Sequence, residues 1–287
     1  MGCGGSRETE NNEYEEAICQ CEERLGFSKL NSDRIDEVFK RYSLSTKMSS
    51  SQFMTACREL NLASDYGQLD HPVTKFFNSF KSGKFFSQRK LSALGVLLGK
   101  SDDKEKAKVL FKIYDDSKDG NLDIGEVRNM LDDIVEIGLI FLPTLALNSG
   151  EDEVFKQDMV KFNKKLVNIQ FSIKNFFEIV IMRKDDEHGG EPAPPMEFVE
   201  GPDEGDDLKK SGKRRKNKKR VTGGISRFQI EEISFEQFVE KFEKRNMPKL
   251  CNAHKLREMA LEFYSQTVAP RELVKDYILE SSRSKAS

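Results

Sequence analysis

The chain of 287 residues has no tryptophan, only three histidines, and five cysteines, an odd number. Each shortage removes a class of protein. An odd cysteine count without a secretory apolar segment argues against a disulfide framework and for a reducing compartment. Cys19 and Cys21 form a C-x-C pair with no second cysteine pair and no histidine close by, so zinc is not expected. His71, His188 and His254 stand in unrelated contexts, and no nucleophile elbow, phosphate loop or metalloprotease helix occurs, so nothing supports an enzyme. No apolar run reaches the roughly 20 residues that span a bilayer. The longest, Ile134–Leu147, is interrupted by Glu136, Gly138 and Pro143 and is expected to be a helix end followed by a buried turn. Charge of neither sign dominates: 47 Lys and Arg against 49 Asp and Glu leave −2, which names no partner.

What is abundant is phenylalanine, with 21 residues, and charge, one third of the chain. That combination suits a helical protein with Phe-rich interfaces and a solvated surface. The length allows one or two domains with a sizeable core.

The most informative segment is Asp115-Asp116-Ser117-Lys118-Asp119-Gly120-Asn121-Leu122-Asp123-Ile124-Gly125-Glu126. A hard dication such as Ca2+ needs six to eight oxygens at about 2.3–2.6 Å. Asp115, Ser117, Asp119, Asn121, Asp123 and Glu126 supply them at positions one, three, five, seven, nine and twelve of a twelve-residue loop. Asn121 would contribute its backbone carbonyl and Glu126 both carboxylate oxygens. Gly120 falls where the chain must turn sharply, and Leu122 is placed to face the core and pair with a neighbouring loop. Ala107, Leu110, Phe111 and Tyr114 before the loop recur at helical spacing, as do Val127, Met130, Leu131, Ile134 and Val135 after it. An acidic surface turn would need none of these flanking patterns. The loop resembles an EF-hand.

Weaker copies are expected around it. Upstream, Val73, Phe76, Phe77 and Phe80 precede Phe86-Ser87, then Leu91, Leu94, Leu97 and Leu98. There Lys90 takes the twelfth position, and Lys81 and Gly83 fall where oxygens are wanted. An ammonium repels a cation, so this hand should be metal-free. Further upstream, Ile35, Val38, Phe39 and Tyr42 precede Met48, then Phe53, Ala56, Cys57 and Leu60, with Gln52 twelfth and no carboxylate in a Ser-rich loop. Downstream, Glu232–Phe238 reads as the tail of a fourth hand with Gln237 twelfth, and Ile233 placed to pair with Leu122. Ordinary helical hairpins compete with each of these three assignments.

The stretch Asp102–Asp115 resembles the linker and third hand of the neuronal-calcium-sensor and calcineurin-B-like branch of the EF-hand superfamily. The matching residues are Glu105-Lys106, Phe111, Tyr114 and Asp115. The resemblance covers about residues 31–140 and 229–245. It implies two lobes of paired hands and an apolar groove that grips a partner helix. The chain departs from that pattern in three loops without a ligand set and in a long insertion.

Met1-Gly2-Cys3-Gly4-Gly5-Ser6 fits N-myristoylation at Gly2, with Cys3 placed for palmitoylation. One myristoyl chain holds a membrane only marginally, so the second acyl group matters. Tyr14, Ile18, Cys21 and Leu25 then predict a short helix lying on the body. Between about Arg183 and Phe228 the apolar periodicity stops. An acidic, proline-rich part containing Asp185–Glu187, Pro192, Pro194, Pro195 and Pro202 gives way to Lys213, Arg214, Arg215, Lys216, Lys218, Lys219 and Arg220. Such composition cannot bury enough apolar surface to offset ordering and predicts a disordered insertion. The basic run is open to three readings: a solvated run, contact with anionic lipid headgroups, or nuclear or nucleic-acid contact. No aromatic interrupts Lys209–Arg220, so base stacking has nothing to carry it, and lipid is preferred over nucleic acid.

Val154, Phe155, Met159, Phe162, Leu166, Ile169, Ile173, Phe176, Phe177 and Val180 trace one bent helix or two, with a Phe-rich core face. Ala253, Leu256, Met259, Ala260 and Phe263 predict another, and Pro270 a last one with Leu273, Val274, Tyr277 and Ile278. The expected architecture is all-α: an acylated segment over 1–30, a lobe of two degenerate hands over 31–100, a lobe with one intact and one degenerate hand over 101–245 interrupted by 184–228, and helices over 246–287. The expected function is that of a cytoplasmic, lipid-tethered Ca2+-binding regulator that takes one Ca2+ and a protein target, an amphipathic helix. A constitutive membrane-associated scaffold, whose single site is structural, is the alternative.

Overall fold

A computed structural model describes residues 6–62, 67, 68, 70–183, 230–244 and 246–268, with side chains from Asn12 onward. Over these residues the protein is all-α, with five short strands tying loops together. The segments carrying Gly2 and Cys3, the charged insertion with Lys213–Arg220, and the helix expected at Pro270 lie outside the described residues.

Two pairs of helix–loop–helix units form the frame. In the first pair, α2 (Ser32–Tyr42) leads through β1 (Lys47–Met48) into α3 (Ser50–Glu59). α4 (Pro72–Asn78) leads through β2 (Lys81–Ser82) and β3 (Phe85–Ser87) into α5 (Gln88–Leu98). β1 and β3 run antiparallel with Met48 opposite Phe86. Buried Phe53 stacks on Phe86 at 4.2 Å between ring centroids and meets Phe77 at 5.1 Å. The phenylalanines therefore clamp the two units face to face.

The second pair repeats the plan. α6 (Asp103–Tyr114) leads through β4 (Asn121–Asp123) into α7 (Ile124–Glu136). α9 (Glu153–Met182) is joined, across the undescribed segment, to β5 (Glu232–Ser234) and α10 (Phe235–Lys241). Leu122 stands opposite Ile233 in the antiparallel β4–β5 pair, both fully buried. The chain ends flanking the undescribed segment are stitched together, since the Ile230 amide donates to the Met182 carbonyl at 2.8 Å. Phe111 meets Phe235 at 5.2 Å and Phe238 at 5.5 Å edge-on, mirroring the first pair.

The stretch Ile134–Leu147 corrects the sequence expectation of a buried turn. α7 continues without a break through a wider π-helical segment, Ile137–Phe141, into α8 (Leu142–Ser149). The wider turn closes with the Leu142 amide on the Ile137 carbonyl, just ahead of Pro143. A proline placed there lacks the N–H that a regular ladder would use, and the loosened ladder accommodates it. The Phe-rich pattern from Glu153 is one helix of 30 residues. Its buried face holds Met159, Phe162, Leu166, Ile169, Ile173, Phe176 and Phe177, whereas Val154 is solvent-facing at 67% exposure.

α1 (Ser6–Leu25) is a full 20-residue helix rather than a short one. Ile18, Cys21 and Leu25 are buried, and the Tyr14 ring lies 5.8 Å from Phe155 and 5.5 Å from Phe162 on α9. α11 (Ala253–Thr267) packs on α9 as well, with Phe263 edge-on to Phe176 at 5.4 Å. One continuous apolar core runs through both pairs, α1 and α11. No helix among the described residues is long and apolar enough to cross a membrane.

Candidate metal centre

The Asp115–Glu126 loop is built by helix ends. Asp102 caps α6 by accepting from the Glu105 amide at 2.7 Å, and the helix ends with the Asp115 amide on the Phe111 carbonyl. The loop then winds through two left-handed residues, Lys118 at φ 57° and Gly120 at φ 82°. A Cβ on Gly120 would meet open space, so the demand for glycine is conformational rather than steric crowding. Pairing with β5 and a hydrogen bond from the Phe235 amide to the Gly120 carbonyl fix the loop's far side.

Within this frame the six expected ligand residues share one exposed loop, but their carboxylates are occupied by backbone amides. Asp115 Oδ2 accepts from the Gly120 amide at 3.3 Å and Asp119 Oδ1 from the Asn121 amide at 2.8 Å. Ser117 Oγ donates to Asp115 Oδ1 at 3.2 Å. Glu126 Oε1 accepts from the Asp116 amide at 3.0 Å, and its Oε2 accepts from the Asp123 amide at 3.0 Å. Asp123 in turn accepts from the Glu126 amide at 2.7 Å, completing a reciprocal cap on α7. No three carboxylates of the loop come within 4.8 Å of one another. The donor set is all oxygen and solvent-accessible, the chemistry of a hard cation site, and Asp115, Ser117, Asp119, Asn121, Asp123 and Glu126 are the residues that would hold the ion.

The same cap recurs in the other loops with different chemistry. Gln52 and Gln237 stand where Glu126 stands, and each returns its side-chain oxygen to the amide of Ser49 or Ser234, at 2.8 and 3.2 Å. A neutral amide completes the cap without offering an anionic bidentate ligand. In the remaining loop the Lys90 amide is received by Ser87 Oγ at 3.3 Å, while its ammonium turns away to α7. These three loops keep the helix start and lack the charge.

Compared with known proteins, the chain matches no family model, no curated protein and no solved structure.

Sequence reasoning missed one constellation. His254 does not stand alone: its Nδ1 lies 2.7 Å from Glu15 Oε1, and Cys19 Sγ is 3.8 Å from the same oxygen. These three are the one group of potential metal ligands gathered within 4.8 Å among the described residues, so the C-x-C segment does have a histidine beside it in space. Its chemistry is that of an ion-pair network. Fully buried Arg257 binds Glu15 through Nε at 2.9 Å and Nη2 at 2.6 Å, and Glu22 through Nη1 at 2.7 Å. Burial alone would push the Glu15 carboxyl up, yet the Arg257 guanidinium holds it below its ordinary value. Glu22 goes the other way, since burial outweighs Arg257 there. The Cys19 thiol is pushed up to about 11 by burial and the two glutamates, so it is protonated at neutral pH. The signal was present in sequence only as spacing: Glu15, Cys19 and Glu22 share one face of α1, and His254 and Arg257 one face of α11.

Proposed function

We propose that the protein is an EF-hand regulator that binds one Ca2+ at Asp115, Ser117, Asp119, Asn121, Asp123 and Glu126, and carries that signal to a protein target. The observation that carries the proposal is the comparison of the four twelfth positions. Gln52, Lys90 and Gln237 cannot act as anionic bidentate ligands, whereas Glu126 can, and it stands at the end of a loop with three further carboxylates at ligand positions. Bound Ca2+ would supply the charge that lets these four carboxylates converge. Glu126 would leave the Asp116 amide and swing inward, taking the first turn of α7 with it, and that shift would re-angle α7 against α6. Ser117 in place of a carboxylate lowers the ligand charge, so a dissociation constant on the order of 10⁻⁶–10⁻⁵ M is expected. The target is expected to present an amphipathic helix.

The proposal places the protein at a cytoplasmic membrane surface through acyl groups on Gly2 and Cys3, with Lys213–Arg220 contacting anionic headgroups. Catalysis has no part in it.

A scaffold reading has its own support. The apolar core is continuous across both pairs and α1, and three of four loops close their helix starts with a neutral or cationic residue at the twelfth position. A single site in such a body could serve only to stabilise it. Binding of an environment-sensitive apolar dye to the full chain, with Ca2+ and with chelator, separates the two. A regulator raises dye fluorescence on Ca2+ addition; a scaffold leaves it unchanged.

A further inference from the structure

Lys90 stands where a cation ligand would stand in its own loop, and its ammonium serves elsewhere. Nζ lies 2.5 Å from Glu136 Oε2 and 3.5 Å from Asp133 Oδ1, both on α7, and 5.7 Å from the centre of the Phe141 ring. The preceding residue does the same on the loop itself. Arg89 pairs with Asp116, the neighbour of ligand residue Asp115, and its guanidinium sits 5.3 Å over the ring of Tyr114, the last residue of α6. Tyr114 is fully buried and donates from its hydroxyl to Asp133 Oδ2 at 2.9 Å, which closes the network.

Position makes this arrangement informative. Arg89 and Lys90 occupy the first turn of α5, and no acidic residue accompanies them there. Cations at a helix N-terminus oppose the helix dipole, so the local structure of α5 gives no reason for two of them. Their partners lie across the boundary between the two pairs of helix–loop–helix units. Those partners grip three parts of the candidate centre: the end of α6, the loop at Asp116, and the exiting helix α7. The contacts coexist with Glu126 turned onto the Asp116 and Asp123 amides, and with the loop carboxylates spread apart.

We propose that Arg89 and Lys90 form a latch that couples the metal-free first pair to the Asp115–Glu126 loop and opposes closure of that loop around a cation. The inference rests on the Ca2+ reading of the loop. Closure that re-angles α7 against α6 moves Glu136 and Asp133 relative to Lys90, and Asp116 relative to Arg89, so the ion must work against these pairs. By linkage, weakening the latch tightens Ca2+, and Ca2+ loosens the boundary between the two pairs.

Calorimetric Ca2+ titration of the full chain tests this with Lys90→Met, Glu136→Gln, and the double variant. Each single variant is expected to bind Ca2+ at least about fivefold more tightly than the parent, and the double variant no more tightly than the better single. Lys90→Arg, which keeps the bridge, is expected to bind like the parent. Simple electrostatics predicts otherwise for Glu136→Gln, because removing a negative charge near the site weakens cation binding. A weaker Glu136→Gln, or single effects that add, would overturn the latch. Thermal melts in chelator confirm that each variant is folded. A parent chain that takes up no Ca2+ overturns the underlying reading and the latch with it, whereas a parent that binds, with unaffected variants, overturns the latch alone.

Discussion

Replacing Arg257 with methionine tests how α1 is held to the body. The guanidinium is fully buried and is the only cation touching both Glu15 and Glu22 among the described residues, at 2.6–2.9 Å; it also donates to the Gly138 carbonyl at 3.4 Å. Methionine matches the stem but leaves two largely buried carboxylates without their guanidinium and the Gly138 carbonyl without this donor. Removing one partner of a buried ion pair costs about 3–5 kcal/mol. Against a total stability of about 5–15 kcal/mol, that is a large fraction. Equilibrium urea unfolding of the full chain at neutral pH should show a loss of unfolding free energy of that size. The loss should shrink as pH falls. Glu15, held below its ordinary value in the folded parent, contributes stability above the ordinary carboxylate range and loses it as pH drops through the folded value. Glu22, raised by burial, works in the opposite sense and favours the folded state as it protonates. In the variant both carboxyls protonate readily and their repulsion disappears. A triple variant, Glu15→Gln, Glu22→Gln and Arg257→Met, should recover most of the loss at neutral pH, because no uncompensated charge remains. A single variant that loses less than about 1 kcal/mol would refute the reasoning, since that is the scale of an exposed pair.

Two further substitutions probe the frame. Gly95→Ala places a Cβ 2.5 Å from Ile35 Cγ2 and 3.1 Å from its Cβ. The helix propensity gained, about 0.5–1 kcal/mol, is smaller than an overpacking cost of about 1–3 kcal/mol, so a net loss in urea unfolding is expected. Gln52→Glu restores a carboxylate at the twelfth position of a loop with no other, and native mass spectrometry in Ca2+ should show the same number of bound ions as the parent.

What was legible in the sequence was what depends on near neighbours. The candidate-ligand spacing of Asp115–Glu126 lies within twelve residues, and the loop positions of Leu122 and Ile233 placed these two opposite each other, as they stand in β4 and β5. Helical periodicity likewise found α2 to α7 and the buried face of α9. What stayed hidden depends on residues far apart. Arg257 and Glu15 are 242 positions apart, and nothing local to either announces a buried pair. Lys90 could be seen to be unfit for a cation, but its engagement with Glu136, 46 residues on, could not. Gly138 and Pro143 suggested a turn after α7. A widened helical turn satisfied the same constraints without ending the helix, because α1, α9 and α11 cover that segment and reward its burial.

The central claim is that one Ca2+ binds, and binds through Glu126. Calorimetric titration of the full chain with Ca2+, beside Glu126→Gln, measures it most directly. Gln keeps the cap on α7, as Gln52 and Gln237 do in their own loops, so the variant should fold with the ion-binding charge removed. The account predicts a single site of micromolar strength in the parent and a loss of at least about a hundredfold in the variant. No uptake by the parent, or an unchanged isotherm in Glu126→Gln, would contradict it.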